Sequence, residues 1–300
     1  MNLAVCIINW NNAKDTLECI RTVSSWQTVN PTIWVIDNNS SDGSPDVIAQ
    51  EHSPAHLIRS TQNLGFSGAN NIAIRAAIDD GHNEILLLNN DAKISEINII
   101  LLLEALHKDS TLAIVGPVLR ESVGGKIHFS CGGRNIAHYC NTRILSNTAP
   151  PISRSPINTD YVPGTVALLR GDVVKSIGLF DERYFFSGEM ADLCMRAQYR
   201  GYHTAIVTSA FADHDTTRAG GLRNTLYAYY NLRNRFLFAS KFASFWWRLF
   251  WQVACVVFIA SHILFGRFAS ARAVYLALWD GCRSRFGNQN ERILSVKSTK

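Results

Sequence analysis

The chain has 300 residues, of which 47% are hydrophobic, 10% aromatic and 18% charged, so its composition is not that of a disordered protein. Its length allows one large or two small folded domains. The net charge is only +5 and no run of five basic residues occurs, so nucleic-acid binding is not predicted.

Apolar, β-branched runs alternate with amphipathic runs from Leu3 to about Leu119. The runs that predict strands are LAVCIINW, TIWVIDNN, AHLIRS, NEILLLNNDA and LAIVGPVL. The runs that predict helices are AKDTLECIRTVSSW, SPDVIAQEH, SGANNIAIRAAIDDG and INIILLLEALHKD. This order predicts an α/β fold, in which a doubly wound, mainly parallel sheet has right-handed crossovers and helices on both faces.

The alternation stops between Glu121 and Asp160, and order returns from Tyr161 onwards. The ordered segments there are YVPGTVALLRGDVVKSIG, LFDERYFFSGEMADLCMRAQYRGY and the strand-like HTAIVT. After about residue 226 the chain becomes aromatic and apolar, with arginines and lysines interspersed, which predicts a C-terminal helical extension.

The stretch from Leu249 to Gly266 has 18 residues without a formal charge, a length at the short end of the range for a membrane span. Tryptophans and basic side chains flank it, a composition typical of the membrane interface. Three interpretations are open: a helix lying in the interface, a soluble helical bundle, or a true span. We favour peripheral contact with a membrane.

The sequence contains 7 cysteines, an odd number with irregular spacing and no CxxC pair. Reduced, mostly buried thiols are therefore expected, as in a cytosolic protein, and a zinc site is not. The N-terminal residues show no basic region and no small-residue cleavage site, so no secretory signal is predicted. We expect a cytoplasmic protein at the inner face of the cell membrane.

Polar loops follow the predicted strands at residues 9–12, 37–44 and 89–91. In open α/β sheets ligands bind beyond the carboxyl ends of the strands, so these loops predict a binding site. The first loop, NWNNAKD, contains no glycine, which excludes the close phosphate approach of a dinucleotide-binding turn, and no P-loop occurs. A sugar nucleotide bound here needs a divalent cation for its diphosphate, and Asp91 is a candidate ligand or, alternatively, a cap.

Five motifs occur in order: IINWNN, VIDNNSSDGS, NLGFSGANN, LLLNNDA and FDERYFFSGEMADLCMRA. Together they resemble the family 2 glycosyltransferases, which have the GT-A fold, over roughly Leu3 to His214. Within that family the chain is most similar to bacterial rhamnosyltransferases of cell-surface polysaccharide and lipopolysaccharide synthesis. The resemblance implies inverting transfer of a sugar from a dTDP- or UDP-linked donor to a hydroxyl of a glycan or lipid-linked acceptor.

The resemblance also divides the chain into functional parts. Residues 1–120 form the nucleotide-sugar-binding half, residues 121–225 form the acceptor-binding and catalytic half of the same domain, and residues 226–300 form the helical segment. The positions implied to contact the nucleotide are Asn9, Asp37, Asn39, Asp42, Asn63, Gly65, Gly68 and Asn90. Asp42 is implied to hold either its own loop or the nucleoside. Without the resemblance, the two glycines also fit ordinary turn chemistry.

The resemblance implies a Mg²⁺ or Mn²⁺ ion held by Asp91 and His214. Asn89 stands where the family's DxD motif has its first acid. Because Asn89 is not a carboxylate, Asp91 is the acid expected at the metal. Arg218 and Arg223, beside Gly220 and Gly221, are further candidates for contact with the diphosphate.

Inverting transfer requires a general base, which the family places in an acidic motif matched here by GEMAD. Met190 occupies the position where the family commonly has the aspartate base. We expect Glu189 to be the base, with Asp192 as the alternative, although Asp192 also fits an ion pair with Arg196 four residues on. The remaining expected positions, on the acceptor side, are Gly164, Thr165 and Asp181, the last of which also fits a role in fixing its loop.

A non-catalytic module of the same fold, binding sugar nucleotides or a polysaccharide, is the alternative function. Its main support is Met190 in place of the aspartate.

Overall fold

The computed structural model describes residues 2–51, 55–123, 126–134, 143–214 and 221–294, without the side chains of residues 123, 143, 221–225, 268 and 269. The strands in these ranges form one sheet. They are β1 (Leu3–Asn9), β2 (Thr32–Asp37), β3 (His56–Arg59), β4 (Glu84–Asn89), β5 (Ala92–Ile94), β6 (Leu112–Val123), β7 (Lys126–Gly133), β8 (Arg143–Ser146), β9 (Ile157–Asn158), β10 (Val166–Arg170) and β11 (His203–His214). The helices are α1 (Ala13–Ser24), α2 (Ser44–Glu51), α3 (Gly65–Asp79), α4 (Glu96–Lys108), α5 (Gly171–Ile177), α6 (Glu189–Tyr199), α7 (Gly221–Phe242), α8 (Phe245–Leu264), α9 (Phe268–Cys282) and α10 (Asn290–Leu294), with a 3₁₀ turn at Glu182–Tyr184.

The leading half of the sheet is parallel, in the strand order β3-β2-β1-β4. Strand β1 lies between β2 and β4, with Asn9 opposite Asp37 and Ile8 opposite Asn89. These strands read as continuous apolar runs because the sheet is covered on both faces. Their carboxyl ends therefore share one edge, as the sequence predicts.

The rest of the sheet is mixed, so the expectation of a mainly parallel sheet holds only for its leading half. Strand β10 lies antiparallel between β4 and β6, and β11 pairs in parallel with β6 but antiparallel with β5. Because β10 is reversed, its beginning meets the end of β4. The backbone N–H of Asn89 donates to the carbonyl oxygen of Thr165 at 2.9 Å.

Helices cover both faces of the sheet, as predicted. One face is packed with apolar side chains of α3, α5, α6 and α7, and the other with side chains of α1, α2 and α4. The segment predicted to be irregular contributes strands instead: β6 runs on to Val123, pairs with β7, and β7 pairs with β8. The predicted divisions at residues 120 and 225 fall inside β6 and α7.

The C-terminal extension consists of α7 to α10 in the described part of the chain. Helix α8 buries Trp251 and Cys255 in a cluster with Phe236 of α7 and Val274 of α9. Its opposite face is exposed. Of the helices that the structure describes, α8 is the one long and apolar enough to cross a membrane.

The cysteines described by the structure are free. They are Cys6, Cys19, Cys131, Cys194, Cys255 and Cys282, while Cys140 lies outside the described residues. Burial raises the pKa of the Cys6 thiol far above its ordinary value. Cys194 lies in the main apolar cluster. Buried thiols of this kind are unreactive, because the thiolate form is disfavoured.

Replacing Gly65 by alanine should destabilise the protein more than the same change at Gly81. Both glycines have a positive φ, +68° and +87°, which costs an alanine about 1–2 kcal/mol. A Cβ on Gly65 would also overlap the carbonyl oxygen of Phe185, whereas one on Gly81 meets nothing within 4 Å. We expect the overlap to remove a further 1–3 kcal/mol, roughly, from the free energy of unfolding in urea. Equal losses in the two variants would contradict this packing.

Candidate active site

A chain of hydrogen bonds joins the carboxyl ends of β1, β2 and β4. The side-chain amide of Asn9 donates to Asp37 Oδ1 at 2.8 Å and to Ser40 Oγ at 3.1 Å, and the backbone N–H of Ser40 donates to Asp37 Oδ2 at 3.1 Å. Thr16 Oγ1 donates to Asn9 Oδ1 at 2.8 Å and accepts from Asn90 Nδ2 at 2.9 Å. Asp37 is buried and fixed by donors. The structure thus brings together three of the predicted nucleotide-binding residues.

The loop after β2 holds the other two predicted residues of that motif at its surface. Asn39 is exposed and has a φ of +61°. Asp42 accepts hydrogen bonds from the backbone N–H of Ser44, at 3.0 Å, and from its hydroxyl. These bonds from Ser44 lower the pKa of Asp42 below its ordinary value. In this structure Asp42 therefore holds the start of α2, which agrees with a role in fixing the loop.

Asn38 is a buried organiser of the site that the sequence did not single out. Its amide nitrogen donates to Asn63 Oδ1 and to the carbonyl oxygen of Gly65, each at 3.2 Å. Its Oδ1 accepts from the backbone N–H of Leu64 at 2.8 Å. Asn38 thus fixes the NLGFSG turn against the end of β2. The pair of asparagines after Asp37 was visible, but the sequence did not show which one faces inward.

The glycines of that turn make close contacts inside the protein. The carbonyl oxygen of Phe185 accepts from the backbone N–H of Phe66 at 2.7 Å, directly beside Gly65. A Cβ on Gly68 would lie 2.7 Å from the Cβ of Leu64. The absence of a side chain at Gly65 and Gly68 is therefore required by the fold, and their contact with a nucleotide stays a prediction.

Asp91 and His214 meet where β5 pairs with β11. His214 Nε2 lies 3.6 Å from Asp91 Oδ1, and His214 Nδ1 lies 3.5 Å from Glu121 Oε1. Asp91 Oδ1 and both ring nitrogens are buried without a hydrogen-bond partner. Burial alone would lower the pKa of His214, but the two carboxylates raise it to about 9. Glu121 was missed by the sequence because nothing local showed that β6 places it opposite His214.

These residues fit a divalent cation. Asp91 Oδ1 and His214 Nε2 face each other closely and are otherwise unsatisfied, which is costly for buried polar atoms. Two protein ligands leave room for phosphate and water oxygens, as is usual for Mg²⁺ and Mn²⁺. Within the described ranges no three His, Cys, Asp or Glu side chains form a complete metal site. A cleft of about 220 Å³ borders Asn90 and Asp91.

The two carboxylates at the start of α6 have opposite environments. Glu189 is 7% exposed and its Oε2 has no hydrogen-bond partner. Burial, with a smaller contribution from the charge of Asp192, raises the pKa of Glu189 to about 7. Asp192 is fully buried, pairs with Arg196 Nε at 2.6 Å and with Lys241, and accepts from the Tyr184 hydroxyl. Asp192 thus makes the ion pair that was its alternative role, and the assignment of Glu189 as the base stays a prediction.

The three candidates for acceptor contact, Gly164, Thr165 and Asp181, all make contacts within the protein. A Cβ on Gly164 would lie 2.9 Å from Met190 Cγ, so the methionine packs against this glycine at the start of α6. The carbonyl oxygen of Thr165, the next residue, accepts a hydrogen bond from the backbone N–H of Asn89 at the end of β4. Asp181 pairs with Arg183 at 2.7 Å and Lys241 at 3.0 Å. Although burial by itself raises the pKa of Asp181, these cations lower it below its ordinary value.

Asp181 is therefore engaged in fixing its loop, as its alternative role implied. Among the candidates for diphosphate contact, Arg218 lies outside the described residues, and the side chain of Arg223 is not described.

The family model for glycosyl transferase family 2 matches residues 4–177, more than half of the chain. The chain belongs to glycosyl transferase family 2. It is accordingly a glycosyltransferase, and its mixed sheet with helices on both faces is the GT-A fold. The matched range ends before Glu189, so the assignment of the base depends on the geometry of α6.

Two curated relatives and one solved structure are similar to this glycosyltransferase. It is 24% identical over 257 residues to the N-acetylglucosaminyl-diphospho-decaprenol L-rhamnosyltransferase of Mycobacterium tuberculosis, covering 78% of this chain and 83% of the relative. It is 22% identical over 254 residues to the dTDP-rhamnosyl transferase RfbF of Shigella flexneri, covering 80% of each chain. The mannosyltransferase PcManGT of Pyrobaculum calidifontis, solved with GDP-Man and Mn²⁺, has a TM-score of 0.57 and 14% identity, over 95% of this chain and 88% of the other.

The Glu189→Gln variant should gain stability relative to the wild type as the pH rises. The pKa of Glu189 is raised in the folded state from 4.5 to about 7, so the folded protein binds this proton more tightly than the unfolded chain. The wild type therefore loses up to about 3 kcal/mol of unfolding free energy between those pH values, and the glutamine variant does not.

Denaturant melts of both proteins from pH 4.5 to 8 measure this difference. Glu104→Gln, a change on the exposed surface of α4, is the control. If the difference in unfolding free energy between Glu189→Gln and the wild type stays constant with pH, Glu189 is not held in a buried site.

Proposed function

We propose that this glycosyltransferase moves rhamnose, with inversion, from a dTDP-linked donor to a hydroxyl of a lipid-linked glycan during cell-surface polysaccharide synthesis. The names of the two curated relatives support the donor sugar, and one of them supports a polyprenyl diphosphate-linked acceptor. The observation that carries the catalytic part is the buried, unpartnered carboxylate of Glu189 at the start of α6. UDP-linked sugars are the second choice of donor.

The donor side is formed by the ends of the parallel strands. Asp37, held by Asn9 and Ser40, accepts hydrogen bonds from the base of the nucleotide, and Asn90 extends the same network. Asp91 and His214 hold a divalent cation, and Glu121 fixes the ring of His214 from its other nitrogen. When bound, such a cation offsets the charge that develops on the leaving diphosphate.

Glu189 acts as the general base in this proposal. Its ionised Oε2 accepts the proton of the acceptor hydroxyl while that oxygen forms a bond to the anomeric carbon, and the bond to the diphosphate breaks on the opposite face. A pKa of about 7 suits this role, because the carboxylate is then ionised at working pH yet basic enough to accept a proton. Met190 does not replace the base, since its side chain is buried against Gly164.

The exposed apolar face of α8 supports contact with a membrane surface. We define this face as Trp246, Leu249, Phe250, Val253, Val256 and Val257. Trp246 is 72% exposed, and the others repeat at helical spacing on the side away from Trp251 and Cys255. Arg248 and Arg267 are exposed nearby along the chain and would attract anionic lipid headgroups. Because one side of α8 packs on protein, we propose that it lies in the cytoplasmic interface, where a lipid-linked acceptor is accessible.

Replacing Glu189 by glutamine should lower kcat for sugar transfer by about 10²- to 10⁴-fold, the usual effect of losing a general base. Asp91→Asn should also lower transfer, and EDTA should stop it until Mn²⁺ is restored. The assay measures labelled rhamnose passing from dTDP-rhamnose to a polyprenyl diphosphate-linked acceptor. Glu104→Gln is the control and should retain the wild-type rate.

A thermal-shift screen of sugar nucleotides with and without Mn²⁺ identifies the donor, because a ligand that binds only the native state raises its melting temperature. Transfer retained by Glu189→Gln but lost in Asp192→Asn would reverse the assignment of the base. Full turnover in EDTA would remove the cation from the mechanism. Donor binding without transfer to any acceptor would favour the non-catalytic alternative.

Changing Val253 and Val257 to glutamate should weaken binding to vesicles of phosphatidylglycerol and phosphatidylethanolamine. Since burying each valine contributes about 1.5 kcal/mol or more, the double variant should bind about 100-fold more weakly. Co-sedimentation measures this, and Ile97→Glu, on the exposed side of α4, is the control. Equal binding by the wild type and the double variant would contradict the proposed contact.

A further inference from the structure

The segment that leads into Glu189 has an unusual backbone. Phe185 has a φ of +59°, Ser187 of +71° and Gly188 of +96°. A positive φ is unfavourable for residues with a side chain, and most of all for a bulky one such as phenylalanine. Such a conformation persists only where the surrounding structure determines it. We call residues 183–188 the base loop.

Helix α7 supplies the donors that hold the base loop. The side-chain nitrogen of Asn234 lies 2.8 Å from the carbonyl oxygen of Tyr184, 2.8 Å from that of Phe186 and 2.5 Å from that of Ser187. An amide nitrogen has two hydrogens, so these three acceptors share them. Asn234 is itself buried, and its single side chain thus determines the direction of three peptide groups.

Arg233 completes this arrangement. It is fully buried and donates to the carbonyl oxygens of Arg183 at 3.2 Å and Tyr184 at 3.1 Å. Its Nε also donates to Asn234 Oδ1 at 2.9 Å, which fixes the amide with its nitrogen towards the base loop. The guanidinium lies over the rings of Tyr229, Tyr230 and Phe286, which stabilise its charge.

The same helix holds the residues that flank the base loop. Lys241 pairs with Asp181 before the loop and with Asp192 after it. On the other side, the carbonyl oxygen of Phe185 accepts from the backbone N–H of Phe66, at the start of α3. The base loop therefore lies between the nucleotide-binding half and the C-terminal extension.

We propose that Asn234 and Arg233 are positioning residues for the general base, which they orient through the base loop. Glu189 follows the loop directly and its Oε2 has no hydrogen bond of its own, so the direction of its carboxylate depends on the backbone that precedes it. Neither residue needs to touch substrate. The inference rests on the proposed role of Glu189 and extends it to a part of the chain outside the matched family region.

The Asn234→Asp variant tests this proposal. It keeps the size of the side chain and the acceptor for Arg233 but replaces the donor nitrogen with an oxygen that faces three carbonyl groups. We expect kcat to fall about 10- to 100-fold, the effect of a misplaced catalytic group, while the KM for the donor stays within about twofold. Amide hydrogen exchange in residues 185–190 should become faster.

The pH dependence of kcat separates a positioning role of Asn234 from general destabilisation of the protein. The charged group that acts on Glu189 is Asp192, which is paired with Arg196 and Lys241. These pairs do not involve Asn234, so a looser base loop changes mainly the access of water to Glu189. The acidic limb of the kcat profile, near pH 7 in the wild type, should therefore move to lower pH in Asn234→Ser, which adds no charge beside the base loop.

Val274→Ala is the matched control. It removes buried methyl groups from the cluster of Trp251, Cys255 and Phe236 in the same extension, but leaves Asn234, Arg233 and their donors to the base loop in place. It should lower the melting temperature without changing kcat, the acidic limb or exchange in residues 185–190. If Asn234→Asp does not fold, Asn234→Ser, which keeps one donor, should show the same changes to a smaller extent.

The proposal is overturned if the Asn234 variant resembles Val274→Ala in kcat, pH profile and local exchange. It is overturned together with the proposed base if Glu189→Gln transfers sugar at the wild-type rate. If Glu189→Gln is inactive and the Asn234 variant is normal, only the positioning role fails.

Discussion

The contact between the backbone of Phe185 and the start of α3 is the constraint on which the rest of the site depends. Helix α3 packs on the half of the sheet that carries Asp37. Phe185 lies in the loop that leads into Glu189. Their N–H to carbonyl bond of 2.7 Å is possible only because Gly65 has no side chain. The predicted donor site and the predicted base are therefore joined through main-chain atoms, so their separation does not depend on flexible side chains.

Some buried polar atoms of the site have hydrogen-bond partners within the protein and others do not. The two groups have different proposed roles. Asp37 and Asn9 make hydrogen bonds within the protein, so they form a fixed surface. Asp91 Oδ1, His214 Nε2 and Glu189 Oε2 have none. Buried atoms without a hydrogen bond retain a free-energy cost that a ligand can relieve. These three atoms are the ones expected to meet the cation and the acceptor.

The sequence predicted the parts of this structure that depend on local pattern. Apolar runs located β1, β2 and β4. The polar residues at the ends of these strands made Asp37 and Asp91 candidates, and their roles stay predictions. Spacing along one helix identified the ion pair of Asp192 with Arg196. Long-range pairing was not accessible: Glu121 lies 93 residues from His214 in the sequence but opposite it in the sheet. Asn234 looked like one polar residue in an aromatic helix, because its three acceptors lie in a loop almost 50 residues earlier.

Side chains of α7 hold the segment around Glu189, so the C-terminal extension is not a separate appendage. Without α7, the carbonyl oxygens of Tyr184, Phe186 and Ser187 would lose the donor of Asn234, and Asp192 would lose Lys241. An enzyme shortened before residue 221 would keep its strands and its aspartates but not the support of its base. The extension is therefore mechanically part of the same folded unit, and any shortened version of the enzyme should leave α7 in place.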